Sequence, residues 1–161
     1  MSDTLARISS DLKDAMRAKD AARLSVLRMV LNDVKNAGIE KKGRKGFTQE
    51  VDSPAEYLSV EEITQVLRGA LKRRRESAEQ YRAGNREDLA GKEEAEAEVI
   101  QEYLPKPLGP EELEKLVQDA IAKTGATSIA QMGEVIKAVM AKAGGRVDGG
   151  SVSGVVKRLL S

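Results

Sequence analysis

At 161 residues the chain is long enough for one hydrophobic core, or a core plus a small satellite lobe, on a scale of roughly 100–200 residues per domain. Hydrophobic residues make up 40% and charged residues 33%, a globular balance, and 27 basic against 26 acidic side chains leave a net charge of +1, so no global field draws the protein toward nucleic acid or an anionic membrane. The lack of both Cys and His excludes disulfides and thiolate metal sites, along with the side chains that serve most general-base and thiol-nucleophile roles at neutral pH.

Residues 1–12 alternate polar and apolar types, and no apolar run approaches the roughly 18 residues of a membrane span. The expectation is a soluble, cytoplasmic protein that makes no membrane contact. The fold class expected is all-α, because helical periodicity recurs throughout and no segment alternates strictly enough for a half-buried strand. A first helix is predicted from Asp3 to Lys19, with Leu5, Ile8, Leu12, Ala15 and Met16 on one stripe. Asp20 is placed to cap a second, whose stripe is Leu24, Leu27, Val30, Leu31 and Val34 and whose end is assigned to a left-handed Gly38.

Residues 40–57 carry Gly43, Gly46 and Pro54 among charges and are predicted as a mobile loop. Ser59 and Glu62 form a capping-box pattern at the start of a long helix closed by Gly84. A fourth helix, Arg86 to Tyr103, is acidic on most of its surface and is stopped by Pro105 and Pro107. That proline pair is the predicted boundary between a helical N-terminal domain of about four helices, residues 1–104, and a small three-helix C-terminal domain, residues 105–161. In the second domain Pro110 opens a helix ending at Gly125, and Ser128 with Gln131 forms a second capping-box pattern. That pattern should start a helix with Ile129, Met132, Ile136, Val139 and Met140 inward. A last helix from about Gly150 buries Val152, Val155, Val156 and Leu159.

Three charge features bear on function. The basic run Arg68, Lys72, Arg73, Arg74, Arg75, Arg82 and Arg86 could grip phosphates, but the following helix carries Glu87, Asp88, Glu93, Glu94, Glu96, Glu98 and Glu102. An antiparallel hairpin would let the two runs neutralise each other. Glu94 and Glu98 share a helix face, yet an exposed carboxylate pair is a poor metal site, so no metal and no cofactor is expected. In the C-terminal stretch Lys137, Lys142 and Arg146, then Lys157 and Arg158, face only Glu134 and Asp148 in sequence. Gly145 and Gly149 would let backbone amides approach a phosphate beside the start of the last helix.

The four aromatic residues do not interleave with that stretch, which disfavours base stacking but leaves folded RNA recognised by its backbone. No nucleophile elbow, Walker loop or dinucleotide fingerprint is present, so no catalytic residue is assigned.

Several stretches resemble the GatB/YqeY family: Arg23-Leu24-Ser25-Val26-Leu27-Arg28-Met29, Tyr81 with Arg86-Glu87-Asp88-Leu89, Tyr103-Leu104-Pro105, and Met132-Gly133 through Gly145-Arg146-Val147-Asp148-Gly149. The resemblance implies a two-domain helical protein similar to the tail of the B subunit of the tRNA-dependent amidotransferase, the part that grips tRNA while the chemistry occurs elsewhere. It implies tRNA or another folded RNA as ligand, and an amidotransferase or aminoacyl-tRNA synthetase as protein partner. Asp148-Gly149 follows the free-standing members, which implies a stand-alone accessory role. Two alternatives stay open: a part in carbon-nitrogen ligation with glutamine as amide donor, and a protein-protein adaptor.

Overall fold

Every regular element that the computed structural model describes, over residues 2–144 and 146–161, is helical. Seven α-helices lie among the described residues: α1 (Asp3–Ala18), α2 (Ala21–Lys45), α3 (Val60–Ala83), α4 (Glu87–Gln101), α5 (Pro110–Thr124), α6 (Met132–Ala143) and α7 (Gly149–Leu160). The chain divides into two compact units, Met1–Leu104 and Pro105–Ser161, each with its own apolar cluster.

In the first unit the helices begin where short polar side chains can accept from free backbone amides. Ser2 Oγ accepts from Leu5 N–H at 3.3 Å and Asp20 Oδ1 from Arg23 N–H at 3.0 Å. Between them Lys19 adopts a left-handed φ of 57°, which ends α1 and turns the chain into α2. Ser59 and Glu62 form both halves of their capping box, at 3.2 and 2.7 Å. The core holds Ile8, Leu27, Val30, Val34, Leu67 and Ile100, all almost fully buried, drawn from α1 to α4. Each such side chain contributes about 1.5–3 kcal/mol, against about 0–1 for an exposed ion pair, so apolar contact dominates the stability of this unit.

Two expectations for this unit are corrected. Gly38 does not end α2, which continues to Lys45 and stops at Gly46 with φ 60°. Gly38 is buried inside the helix because the backbone of a short 3-10 helix, Pro54–Tyr57, lies against it and leaves no room for a side chain. The stretch expected to be a mobile loop therefore contains the last residues of α2 and a 3-10 helix whose Ala55 and Tyr57 are buried. Tyr57 stacks on Phe47 with ring centroids 5.3 Å apart and donates from its hydroxyl to the Gln49 carbonyl at 2.8 Å.

The second unit packs α5, α6 and α7 around Val117, Val135, Val139, Val152 and Val156. Its one corrected element is the Ser128 pattern. Ser128 makes no capping bond; Gln131 Oε1 instead accepts from Thr127 N–H at 2.8 Å, and residues 129–131 form a 3-10 turn ahead of α6. Ile129 is consequently 47% exposed rather than inward. The α6 residues most deeply buried are Val135, Val139 and Ala143, and of these only Val139 was among those expected inside.

Candidate nucleic-acid interface

The basic run of α3 is largely taken up by carboxylates. Arg82 reaches Glu87 at 3.0 Å and Glu94 at 2.7 Å, Arg86 pairs with Asp88 at 3.0 Å, and Arg73 pairs with Asp33 of α2 at 3.0 Å. Arg74 is buried, with Nε 3.2 Å from Glu96. The guanidiniums of Arg82 and Arg86 are held in their charged form by hydrogen bonds to these acids, and the Asp88 carboxyl is pushed below its usual range by Arg86. No group of three or more acidic residues able to hold a metal occurs among the described residues.

The C-terminal residues expected to bind RNA divide into two sets. Lys137, Lys142 and Lys157 are exposed and make no ion pair among the described residues. Arg146 and Arg158 are not free as expected. Arg146 donates from Nε to the Lys106 carbonyl at 3.1 Å and pairs with Glu112 at 3.4 Å, while Arg158 pairs with Glu114 at 2.7 Å. Both acids come from α5, far off in sequence from the turn they face. These pairs are exposed, and at about 0–1 kcal/mol they bias the two guanidiniums without locking them.

Five cations do not share one face. At 3.6 residues per turn, Lys137 and Lys142 stand about 140° apart around α6, and Lys157 and Arg158 about 100° apart around α7. The start of α7 is also occupied, because Asp148 accepts from Ser151 N–H at 2.8 Å and Ser151 Oγ–H at 2.7 Å. These bonds hold its carboxyl below the usual range and place a negative charge where a phosphate was expected. Gly149 is exposed at the first position of α7, and a β-carbon there would meet nothing beyond its chain neighbours, of which Asp148 carries the competing negative charge. Gly145 lies outside the described residues.

Missed in the sequence was the continuation of α2 past Gly38. With Gly38 in the helix interior, Arg28, Lys35 and Lys42 fall on one continuous helix at intervals of seven, and all three are exposed. The spacing was readable, but it carried meaning only once the helix was known to run on. A second unforeseen cluster joins α1, α2 and the end of α4. Arg23 bonds Glu102 at 2.7 Å, Tyr103 donates its hydroxyl to Asp11 at 2.5 Å, and the Arg7 guanidinium lies 5.0 Å over the Tyr103 ring. Burial, with the Asp11 carboxylate next to it, pushes the Tyr103 hydroxyl up to about 12. This cluster clasps α1, α2 and the end of α4 together.

Comparison with known proteins places the chain. The protein named altered inheritance of mitochondria protein 41, mitochondrial, of Vanderwaltozyma polyspora is 35% identical over 124 residues, covering 73% of this chain and 60% of that protein. Its namesake in Eremothecium gossypii is 32% identical over 102 residues, 63% of this chain and 49% of that protein. In Pyrenophora tritici-repentis the figures are 32% over 120 residues, 73% and 59%. The chain thus spans about half to three fifths of the length of these curated relatives.

Their names overturn the expectation of a cytoplasmic location, since each of these relatives is named as a mitochondrial protein. What the structure adds is narrower: no helix among the described residues is long and apolar enough to cross a membrane. The profile described as Yqey-like protein matches residues 5–160, so the chain belongs to the Yqey-like family.

Proposed function

We propose that this chain is an RNA-binding accessory protein without a catalytic site of its own, with tRNA as its ligand. In this role it is similar to the tRNA-gripping tail of the amidotransferase B subunit. The observation that carries the reading is that Lys137, Lys142 and Lys157 of the small C-terminal unit are exposed and make no ion pair among the described residues, as is also true of Lys106, Lys115 and Lys123 on the same unit. Lysine head groups left without carboxylate partners are available to phosphates, and Arg146 and Arg158 can join them at the small cost of exchanging an exposed pair. The lack of His and Cys is consistent with a chain that supplies grip and leaves the chemistry to a partner.

The test is tRNA binding measured across salt concentration, with mitochondrial tRNA included because the relatives are named mitochondrial. If about three phosphates are neutralised by these lysines, the triple replacement Lys137→Gln, Lys142→Gln and Lys157→Gln removes about 2 to 3 from the log-log salt slope. A wild-type chain that binds no tRNA even at low salt defeats the reading.

A further inference from the structure

Helix α2 carries seven cations, Arg23, Arg28, Lys35, Lys41, Lys42, Arg44 and Lys45, and only two carboxylates, Asp33 and Glu40. Both carboxylates are occupied, Asp33 by Arg73 and Glu40 by Arg44. Arg23 is tied to Glu102 and Lys41 to Glu62. Arg28, Lys35, Lys42 and Lys45 make no ion pair among the described residues; Lys45 stands within electrostatic reach of Glu62, and the Lys42 Nζ lies 5.4 Å from the centroid of the Tyr57 ring.

Arg28, Lys35 and Lys42 fall seven residues apart, so they drift only about 20° per step around the helix axis and form one line. Steps of seven residues at 1.5 Å each separate them by about 10.5 Å, over a total of about 21 Å. The positions flanking that line are Asn32 and Ile39 on one side and Leu31 and Gly38 on the other, none of which adds negative charge. Val26, Leu27, Val30, Val34 and Gly38 pack into the core on a side centred about 110° away around the axis, so the rod is held in place and the row runs along the edge of its exposed face.

An evenly spaced, collinear row of cations on a rigid rod matches a ligand whose own charges repeat regularly. A phosphodiester backbone is such a ligand, since it carries one charge at every nucleotide of each strand. A membrane surface fits less well, because an interfacial helix needs a broad outward apolar face and α2 turns its apolar face inward. Beside this line the apolar residues are Ile39, which is exposed, and Leu31, which is half-buried against the core. An acidic protein would meet the row only if its carboxylates happened to repeat at the same interval.

We infer that the outward face of α2 is a second RNA contact, in which Arg28, Lys35 and Lys42 bind successive stretches of phosphate backbone. The inference rests on the RNA-binding reading above and moves much of the grip onto the N-terminal unit. It adds no base recognition, so binding through this line tolerates changes of RNA sequence that keep the backbone shape.

The experiment uses the full chain and bulk tRNA, with affinity followed from low to moderate salt. The triple replacement Arg28→Gln, Lys35→Gln and Lys42→Gln is expected to lower affinity roughly tenfold or more near 0.1 M salt and to remove about 2 to 3 from the salt slope. The charge-keeping triple Arg28→Lys, Lys35→Arg and Lys42→Arg is expected to bind like wild type. All three positions are exposed, so unchanged circular dichroism in each variant is expected as well. If wild type binds tRNA and the Gln triple matches it in affinity and slope, the inference is overturned while the RNA-binding reading stands. If wild type does not bind at low salt, both fall together. A charge-keeping triple that loses binding as the Gln triple does also overturns the inference, since charge would not be what the line supplies.

Discussion

The carbonyl oxygen of Pro54 occupies the space that a β-carbon on Gly38 would need, 1.9 Å from its ideal position. Inside a helix Gly→Ala ordinarily stabilises by about 0.5–1 kcal/mol, because alanine gives up less backbone entropy on folding. Here the obstacle is backbone on both sides, which cannot swing away as a flexible side chain can. Gly38→Ala is therefore expected to destabilise the N-terminal unit by about 1–3 kcal/mol, in the range of other overpacking changes. Chemical denaturation of the full chain, followed by Tyr57 and its neighbours, checks the sign; a more stable variant would show that the 3-10 helix yields without cost.

Arg74 and Glu96 make the least exposed ion pair of α3 and α4, with side chains 9% and 17% accessible. The Arg74 Nε lies 3.2 Å from Glu96 Oε2 but is not aimed at it well enough to form a hydrogen bond, while Nη2 points to Met29 Sδ at 3.0 Å. The pair is thus close without being well satisfied, and burial of two charges is offset only in part. Removing one member leaves the other stranded, so Glu96→Ala is expected to cost about 3–5 kcal/mol. Replacing both, as Arg74→Met with Glu96→Leu, is expected to restore most of that loss. A double-mutant cycle in urea measures the difference, and a double variant no better than the single would refute the argument.

What was legible in the sequence was mostly local. Asp20 and the Ser59 and Glu62 box act within four residues of themselves, so their sequence spacing already contained the geometry. Gly38 shows where this ends: a glycine serves equally as a helix stop or as a place for close approach, and the choice here is made by Pro54, which only the fold brings near. Ser128 shows the same limit at shorter range, because Gln131 has Thr127 as a competing partner. For the candidate site the error was one of distance. Counting Glu134 and Asp148 as the opposing charges overlooked Glu112 and Glu114, which are 34 and 44 residues from the arginines they meet.

Asp148 provides a pH-dependent contribution to the C-terminal unit. Its carboxylate accepts from the Ser151 hydroxyl and amide, which holds it below an unfolded value near 3.9. The folded state therefore binds this proton less readily than the unfolded chain. Its contribution is complete above about pH 4 and disappears as pH falls through the lowered folded value. At neutral pH Asp148→Ala is expected to cost about 1 kcal/mol, as for other helix caps. Asp148→Asn keeps an acceptor but cannot titrate, so the stability difference between wild type and this variant should shrink on acidification below pH 4. Thermal unfolding of both proteins at a series of pH values tests this, and a constant difference would contradict it.

Tyr103 makes the opposite contribution at the alkaline end. Its hydroxyl is removed from water, donates to Asp11 at 2.5 Å and accepts from Arg23 at 3.2 Å. Burial is the larger cause of its raised value of about 12, and the adjacent Asp11 carboxylate adds to it by opposing a second negative charge; Arg23 acts the other way and does not win. Because the folded pKa lies above the unfolded value near 10, the stabilisation is complete below about pH 10 and is lost as pH climbs toward 12. Ultraviolet titration of the folded chain should show one of its three tyrosines ionising near 12, and Tyr103→Phe should remove that step. The same variant should unfold at similar pH to wild type in strong alkali yet be less stable by about 1 kcal/mol at neutral pH, where the hydrogen bond to Asp11 is intact in wild type. If Tyr103 instead titrates with the unfolded chain near 10, the hydroxyl is reached by water, and the clasp between α1, α2 and the end of α4 is looser than its distances indicate.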